Sequence, residues 1–225
     1  MSSQKTLSGK HKRLALWLGV CALLVASVFI IVNASASRPS SGGSSPVASG
    51  EIAVVDASDH VRGNELAQKT LVEYSDLQCP ACKAYYPILK DVEKEFGTTV
   101  RIVYRHFPLT QIHKNSLAAS YATEAASKQG KFWEMHDMLF EKQELWSSGE
   151  NVAETFVGYA KELGLDTEKF KTDMGSQDVK DRVKRDMNSG TAAGVPGTPT
   201  FFLNGKQIDS PRSFEAFRAL LQATE

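Results

Sequence analysis

Two cysteines, Cys79 and Cys82, are separated by two residues in the sequence C-P-A-C. Two thiols at this spacing can alternate between a dithiol and a disulfide in an oxidising compartment. A structural zinc site usually needs four ligands, and no second cysteine pair exists, so His106 and His113 would have to meet the pair by coincidence of the fold. A purely structural disulfide at this spacing would restrict little of the unfolded chain. We therefore expect a redox-active pair that uses neither a metal nor a cofactor.

The residues around the pair predict how it is positioned. Residues 70–74 read as a short buried strand, and the apolar residues after Cys82 recur at helical spacing. Pro80 suits the first turn of this helix, because the amide hydrogen that proline lacks would be unpaired there. Cys79 is therefore expected at a helix N-terminus, where free N–H groups and the helix dipole stabilise a thiolate and lower its pKa. Cys82, one turn further in, is expected to be more buried and less reactive.

The remaining pattern predicts an α/β fold. Residues 99–104 form a second strand, and a strand, helix, strand order of this length gives parallel strands. Residues 200–208 predict a hairpin that turns at Asn204-Gly205, and Ser213 caps a last helix. A helical region of about residues 113–191 lies between these parts, with segments at 116–128, 132–144, 152–163 and 176–189. Together these elements predict a thioredoxin fold with an inserted α-helical domain.

An apolar run precedes this domain. Residues 14–32 carry no charge and follow a basic tail at residues 1–13. At about 1.5 Å per residue the run nearly spans a hydrocarbon core of about 30 Å, and the basic tail favours a cytoplasmic N-terminus. It is either a transmembrane signal anchor or a signal peptide cleaved after the A-x-A pattern at residues 34–36. Both alternatives place residues 51–225 on the extracytoplasmic side, in a single-pass membrane protein or in a secreted or periplasmic protein cleaved near Ala36.

Composition separates a linker from the domain that follows it. Residues 33–50 contain seven Ser, three Gly and two Pro, which predicts a flexible linker. The chain has 26 basic and 26 acidic residues, but residues 51–225 hold 21 basic against 26 acidic ones. A mildly acidic domain lacks the basic surface that binds phosphates, so we do not expect nucleic acid as a partner.

Four motifs resemble those of the DsbA-like thioredoxin family, the extracytoplasmic thiol–disulfide oxidoreductases. They are EYSDLQCPAC at 73–82, YRHFPL at 104–109, GKFWEMHDMLF at 130–140 and GVPGTPTFFLNG at 194–205. With the helical insertion they cover nearly all of residues 51–225. The resemblance implies that Pro199 is a cis-proline facing the cysteine pair and that Thr198 contacts substrate. The alternative is that Pro196 and Pro199 only shape a tight loop.

The resemblance also implies an acid near the second cysteine. Glu73 stands where the family has a buried carboxyl group, and Arg101 stands roughly where it has a basic partner. A carboxylate in an apolar strand is rarely buried unpaired, so we expect an ion pair between the two side chains. Its role is either proton transfer for Cys82 or that of an ordinary ion pair.

The dipeptide between the cysteines departs from the family pattern. It is Pro80-Ala81, whereas strongly oxidising members usually carry histidine at the second position. Because Ala81 offers no side-chain donor to the Cys79 thiolate, we expect the reduced form to be less stabilised and the oxidising power to be weaker.

Three functional hypotheses follow. The first is an oxidase that introduces disulfides into exported proteins with free thiols, with Cys79 as the exposed nucleophile and Cys82 resolving the mixed disulfide. The resemblance implies a quinone-linked membrane oxidoreductase as its reoxidant, kept close by residues 14–32. The second hypothesis is a disulfide reductase or isomerase using the same pair. The third is a peptide-binding or chaperone module without turnover.

Overall fold

The computed structural model describes Ile52 and residues 54–223, which belong to the second of two structural units of the chain, Val47–Glu225. The predicted basic tail, membrane segment and linker, at residues 1–50, lie outside the described residues. Within the described ranges, no helix is long and apolar enough to cross a membrane.

A mixed sheet forms the centre of the described unit. Its strands, in chain order, are β1 (His60–Gly63), β2 (Lys69–Ser75), β3 (Val100–His106), β4 (Thr200–Leu203) and β5 (Lys206–Ile208). They lie side by side in the order β1-β3-β2-β4-β5. β2 and β3 are parallel and are joined by helix α1 (Pro80–Phe96), which confirms the predicted strand–helix–strand unit. All other pairs are antiparallel.

Strand β2 is buried on both faces, because helices cover the sheet on both sides. Successive side chains of a strand point to opposite faces. Leu71 packs with apolar residues of α1 and of the last helix, α8 (Phe214–Ala223), while Val72 packs with Val195 and Phe202 on the other face. This double cover explains why β2 is buried at every position from Thr70 to Ser75 rather than at alternate ones.

The C-terminal elements form as predicted from local sequence. Asn204 and Gly205 join β4 to β5 with φ angles of 50° and 85°. A two-residue turn with both φ angles positive matches the right-handed twist of a hairpin, and Asn-Gly is its commonest sequence. The Ser213 hydroxyl accepts the N–H of Ala216 at 3.2 Å and caps α8.

The helical insertion lies between β3 and β4. Its helices are α2 (Ser116–Ser127), α3 (Phe132–Glu141), α4 (Gln143–Trp146), α5 (Val152–Glu162), α6 (Thr167–Gly175) and α7 (Gln177–Ala192). The predicted segment 132–144 is therefore two helices, which meet at Lys142. Two elements were not predicted. α6 buries only Phe170 and Asp173, and β1 is a half-exposed edge strand, so neither carries a strong apolar pattern.

Helix α7 approaches the sheet closely at Gly190. A Cβ atom at this position would lie 2.7 Å from Cδ2 of Phe107 and 3.0 Å from Cδ1 of Tyr74. One residue earlier, the Ser189 hydroxyl is 2.5 Å from the Tyr74 hydroxyl and 3.1 Å from Nη1 of Arg105. These short contacts hold α7 so close to the sheet that a side chain at residue 190 would have no room.

We predict that Gly190→Ala lowers the free energy of unfolding by about 1–3 kcal/mol, because the added methyl group overpacks the interface. The matched control is Gly158→Ala, in the middle of α5, where a Cβ atom meets nothing within 4 Å. This control should gain up to about 1 kcal/mol from the higher helix propensity of alanine. Urea unfolding of the full-length variants measures both values. Equal stability of the two variants would contradict the close packing of α7.

Candidate active site

The cysteine pair lies at the N-terminus of α1, after the short loop that follows β2. Cys79 is the N-cap residue of α1, with φ −69° and ψ 124°, and Pro80 is the first helical residue, as predicted. Both cysteines are free thiols. Cys82 is 1% exposed and Cys79 6% exposed, so the predicted order of burial is confirmed. The prediction that Cys79 is an exposed nucleophile is wrong, because the loop that carries Thr198 lies against its sulfur.

The two sulfur atoms have opposite electrostatic environments. Hydrogen bonds to its thiolate, first from the Cys82 thiol and then from the N–H groups of Cys82 and Ala81, lower the pKa of Cys79 to about 5 against the opposing effect of burial. These N–H groups are the unpaired donors of the first helical turn. Burial raises the pKa of Cys82 well above its ordinary value, and its hydrogen bond to Cys79 adds to the effect. At neutral pH the pair is therefore a Cys79 thiolate and a Cys82 thiol.

A buried carboxylate fixes the loop before Cys79. The side chain of Asp76, which is 1% exposed, accepts the N–H groups of Gln78 and Leu109, both at 2.8 Å, and Nδ1 of His113 at 2.7 Å. It joins the loop after β2 to the loop after β3. Sequence reasoning missed this role, although an aspartate that bonds the backbone two residues on is a known signal of a turn.

The helical insertion also holds the active-site loop. Nε2 of Gln143, in α4, donates to the carbonyl groups of Leu77 at 2.8 Å and of Cys79 at 3.1 Å. From the loop itself, the Gln78 side chain accepts the N–H of Asn115 at 2.7 Å. No local sequence signal identifies Gln143, because its partners are backbone groups 64 and 66 residues away.

The loop before β4 completes the site. The peptide bond between Thr198 and Pro199 is cis, as the family resemblance implies. The carbonyl of Thr198 accepts a hydrogen bond from the Cys79 thiol at 3.5 Å. The Thr198 hydroxyl is a donor that helps lower the pKa of Cys79, and in the thiol form it is buried without a partner among the described residues. Antiparallel pairing of Tyr74 with Thr200 brings this loop to Cys79.

Glu73 lies close to Cys82 but does not pair with Arg101. It is 4% exposed, it accepts the Ser75 hydroxyl at 2.8 Å, and burial raises its pKa to about 7. Its charge is one of the causes that raise the pKa of Cys82, which supports the predicted proximity.

The predicted ion pair between Glu73 and Arg101 is wrong because of the strand register. Glu73 lies opposite Tyr104, whereas Arg101 lies opposite Thr70, three residues or about 10 Å further along the strands. Nε of Arg101 donates to the Thr70 hydroxyl at 2.7 Å, and Nη1 donates to the carbonyl of Glu65 at 3.1 Å. Arg101 therefore takes no part in the redox site.

The potential metal ligands lie away from the cysteines. Among the described residues, His106, Glu124 and Asp186 form a buried group that could offer ligand atoms to a cation. Arg182 forms an ion pair with Asp186, and its Nε is 4.0 Å from Oε1 of Glu124. A guanidinium group thus supplies the positive charge in this cluster. His113 is bound to Asp76, so neither histidine of the zinc alternative joins the cysteine pair.

An open groove of about 650 Å³ runs beside the N-terminus of α1. Pro80, His113 and Glu144 are among its lining residues. The side chains of Ile112 and Leu145, next in sequence to two of these, are 73% and 75% exposed. These two side chains place exposed apolar surface next to residues that line the groove.

Comparison with known proteins decides the family. The family model described as "Thioredoxin" matches residues 56–223. The chain belongs to the thioredoxin family.

Curated relatives of this thioredoxin-family chain are much longer proteins. One is "Na(+)/H(+) antiporter NhaA 3" of Salinispora tropica, 37% identical over 165 residues, which are 73% of this chain and 24% of that protein. Another is "Na(+)/H(+) antiporter NhaA" of Herminiimonas arsenicoxydans, 40% identical over 166 residues, which are 74% of this chain and 25% of that protein. The chain thus spans about a quarter of the length of these relatives.

Several solved structures are similar to this thioredoxin-family chain. Oxidised BdbD from Bacillus subtilis has a TM-score of 0.67 at 24% identity, covering 77% of this chain and 95% of that one. A thioredoxin-like oxidoreductase from Silicibacter pomeroyi DSS-3 scores 0.64 at 27% identity, with 75% and 92% covered. The thiol-disulfide exchange protein alpha-DsbA2 from Wolbachia pipientis scores 0.65 at 18% identity, with 76% and 89% covered. These likenesses confirm the predicted thioredoxin fold with a helical insertion.

We predict that the thiolate absorbance of the reduced full-length chain titrates with a midpoint of about 5, the pKa of Cys79. Cys79→Ser should abolish this transition. Cys82→Ala should raise the midpoint, because the Cys82 thiol is the strongest donor to the thiolate. An unchanged midpoint in Cys82→Ala would show that the backbone N–H groups and the Thr198 hydroxyl stabilise the thiolate without the Cys82 thiol.

We predict a pH-dependent stability term from Glu73, measured with the pair held as a disulfide so that neither thiol titrates. The pKa of Glu73 is about 7 in the folded chain and 4.5 in the unfolded chain. Because the folded state holds this proton more tightly, the contribution of protonated Glu73 to the free energy of unfolding is complete below pH 4.5 and is lost as the pH rises through 7. From about pH 5 to pH 8 the wild type should therefore lose up to about 3 kcal/mol relative to Glu73→Gln. Urea unfolding at each pH measures this difference.

Arg101→Gln is the matched control for the Glu73 variant. Its guanidinium group lies at the far end of β3, so this variant should show the same pH dependence as the wild type. If Arg101→Gln instead reproduced the behaviour of Glu73→Gln, the two side chains would be coupled after all.

Proposed function

We propose that the chain is an extracytoplasmic protein disulfide oxidase acting on exported proteins with free thiols. The observation that carries the proposal is the contrast between Cys79, whose pKa is lowered to about 5, and Cys82, whose pKa is raised. A stabilised Cys79 thiolate makes the reduced pair more favourable relative to the disulfide. The disulfide therefore tends to pass from the enzyme to its substrate.

The exchange takes two steps. A substrate thiolate attacks the sulfur of Cys79 in the enzyme disulfide, a mixed disulfide forms, and Cys82 leaves as a thiolate that takes up a proton. A second substrate thiolate then attacks the substrate sulfur of the mixed disulfide, and Cys79 leaves as a thiolate. The low pKa of Cys79 makes it a fast leaving group in this second step.

The site offers an extended peptide both backbone and side-chain contacts. The cis Thr198-Pro199 segment lies against Cys79, and we propose that it holds substrate in the manner of an added strand. The groove beside Pro80, with Ile112 and Leu145 exposed nearby, would take apolar side chains of the client.

We further propose that residues 14–32 hold the domain at the membrane, with cleavage near Ala36 and a secreted or periplasmic product as the alternative. Each cycle leaves two electrons on the pair, which must pass to an acceptor. A quinone-linked membrane oxidoreductase is the proposed acceptor, since a tether would keep the two together. The uncharged apolar run and its basic flank support this arrangement.

A reductase or isomerase remains the second candidate, and Ala81 is the observation that favours it. The side chain of Ala81 gives the Cys79 thiolate no hydrogen bond, and only its N–H group contributes. With fewer donors, the reduced pair is less stabilised and the reduction potential is lower.

We predict a reduction potential above about −200 mV for the full-length chain, as expected of a disulfide donor. Equilibration with glutathione buffers followed by thiol trapping measures it. Ala81→His should raise the potential further by adding a donor beside the thiolate, and Cys79→Ser should abolish oxidation of a reduced, unfolded client. A potential near that of thioredoxin, about −270 mV, would contradict the oxidase and favour the reductase or isomerase.

A further inference from the structure

A cavity of about 20 Å³ lies beside Cys82, among β2, β3, α1 and α3. This volume is enough for a single water molecule. Glu73, Tyr104 and His136 line it together with Cys82. The Oη atom of Tyr104 and the Nε2 atom of His136 are buried and have no hydrogen-bond partner among the described residues. Two unpartnered polar atoms thus belong to the walls of one water-sized cavity, next to a redox sulfur.

The tautomer of His136 follows from its neighbour. Its Nδ1 is 2.9 Å from Oδ1 of Asp137, which also accepts Nη2 of Arg62 at 2.6 Å. Although burial opposes it, the hydrogen bonds from His136 and Arg62 lower the pKa of Asp137 to about 2, so the carboxylate only accepts. Nδ1 therefore carries the hydrogen and Nε2 is a free acceptor. Burial lowers the pKa of His136 to about 4, which keeps the ring neutral at physiological pH.

Tyr104 connects this imidazole to Glu73. The ring centroids of Tyr104 and His136 are 4.7 Å apart, and Tyr104 lies opposite Glu73 across the pair β2–β3. Asp137, the hydrogen-bond partner of His136, has a side chain that is 21% exposed to solvent. Groups that can donate or accept protons thus lie around one cavity beside the buried carboxyl group and, at Asp137, reach the surface.

We propose that Tyr104, one water molecule in the cavity and the His136–Asp137 pair carry protons between Glu73 and solvent on behalf of Cys82. The proposal rests on the thiol–disulfide exchange proposed above. Tyr104 and His136 act through Glu73, so they are positioning residues rather than catalytic ones.

The proton balance shows where the path is needed. When Cys82 attacks a mixed disulfide at Cys79, a new S–S bond forms and the substrate thiolate leaves with the electron pair of the broken S–S bond. The proton of Cys82 passes to Glu73, and from there through the Tyr104 hydroxyl and the water to Nε2 of His136. When the enzyme disulfide is reduced, the same path returns one proton to Cys82.

The charged and titratable groups around His136 and Asp137 fit the transfer of a proton from Glu73 towards solvent. The groups that face His136 and Asp137 from β1, α1 and β3 are Arg62, Tyr86, Lys90, Glu93 and His106. Arg62 and Lys90 keep Asp137 ionised. Burial raises the pKa of Tyr86 well above its ordinary value, so its hydroxyl stays protonated and does not compete as a base.

The test follows the reduced full-length chain, with Cys21 replaced by serine in every variant so that Cys79 and Cys82 are its only thiols, after rapid mixing with 5,5′-dithiobis(2-nitrobenzoate). A first thionitrobenzoate is released when Cys79 attacks the reagent, and a second when Cys82 displaces it from the mixed disulfide. In Tyr104→Phe the first phase should be unchanged. The second phase should slow about tenfold at about pH 6, where Glu73 must first lose its own proton, and should match the wild type at about pH 8.

Stability separates this role from a structural one. Tyr104→Phe removes a buried hydroxyl with no partner among the described residues, so its free energy of unfolding should equal or exceed that of the wild type. His136→Gln should give the same slow second phase, while Tyr121→Phe, on α2 and half-buried, is the matched control and should behave as the wild type. If His136→Gln does not fold, Tyr104→Phe alone decides the outcome.

Two results would overturn the path: a second phase equal to that of the wild type at both pH values, or one slowed equally at both. Failure of the proposed function looks different. In that case the wild type itself would lack the first phase, because Cys79 would not attack the reagent at all.

Discussion

The stabilisation of a thiolate at Cys79, a residue that is only 6% exposed, is the interaction on which the rest of the site depends. Burial alone would raise the pKa of Cys79, and the donors around the sulfur reverse this effect. Two of them are N–H groups of the first turn of α1, which a helix leaves unpaired wherever it begins. The fold therefore has to start a helix at Pro80, beside the carboxyl end of β2, and cover the sulfur without removing those donors.

The parts that cover and position the sulfur come from distant regions of the chain. Pairing of β4 with β2 brings in Thr198, 119 residues away from Cys79 in sequence. The helical insertion contributes Gln143, which binds the backbone on either side of Gln78. The insertion is thus part of the redox site, because it fixes the loop from which the nucleophile projects.

Local signals account for what the sequence predicted correctly. Pro80 marks the start of α1, and Asn204-Gly205 marks the turn of the hairpin, because each residue type suits one backbone geometry. The pairing of Glu73 with Arg101 failed for the opposite reason. β2 is buried on both faces, so its sequence shows no alternation that would specify which residue of β3 lies opposite which of its own. The burial of Cys79 was missed as well, since it depends on a loop that only the tertiary fold brings near.

The corrected register changes what Glu73 can do. An ion pair would have held its carboxylate ionised at all physiological pH values, and such a group is a poor proton donor. Instead its hydrogen-bond partner is the hydroxyl of Ser75, and burial places its pKa near 7. A group with this pKa exchanges its proton readily at neutral pH. Cys82 needs such a neighbour, because a buried thiol with a raised pKa must gain or lose a proton each time its bond to Cys79 breaks or forms. Of the two roles open to Glu73 at the outset, the strand register excludes an ion pair with Arg101, and proton transfer is the role that we propose.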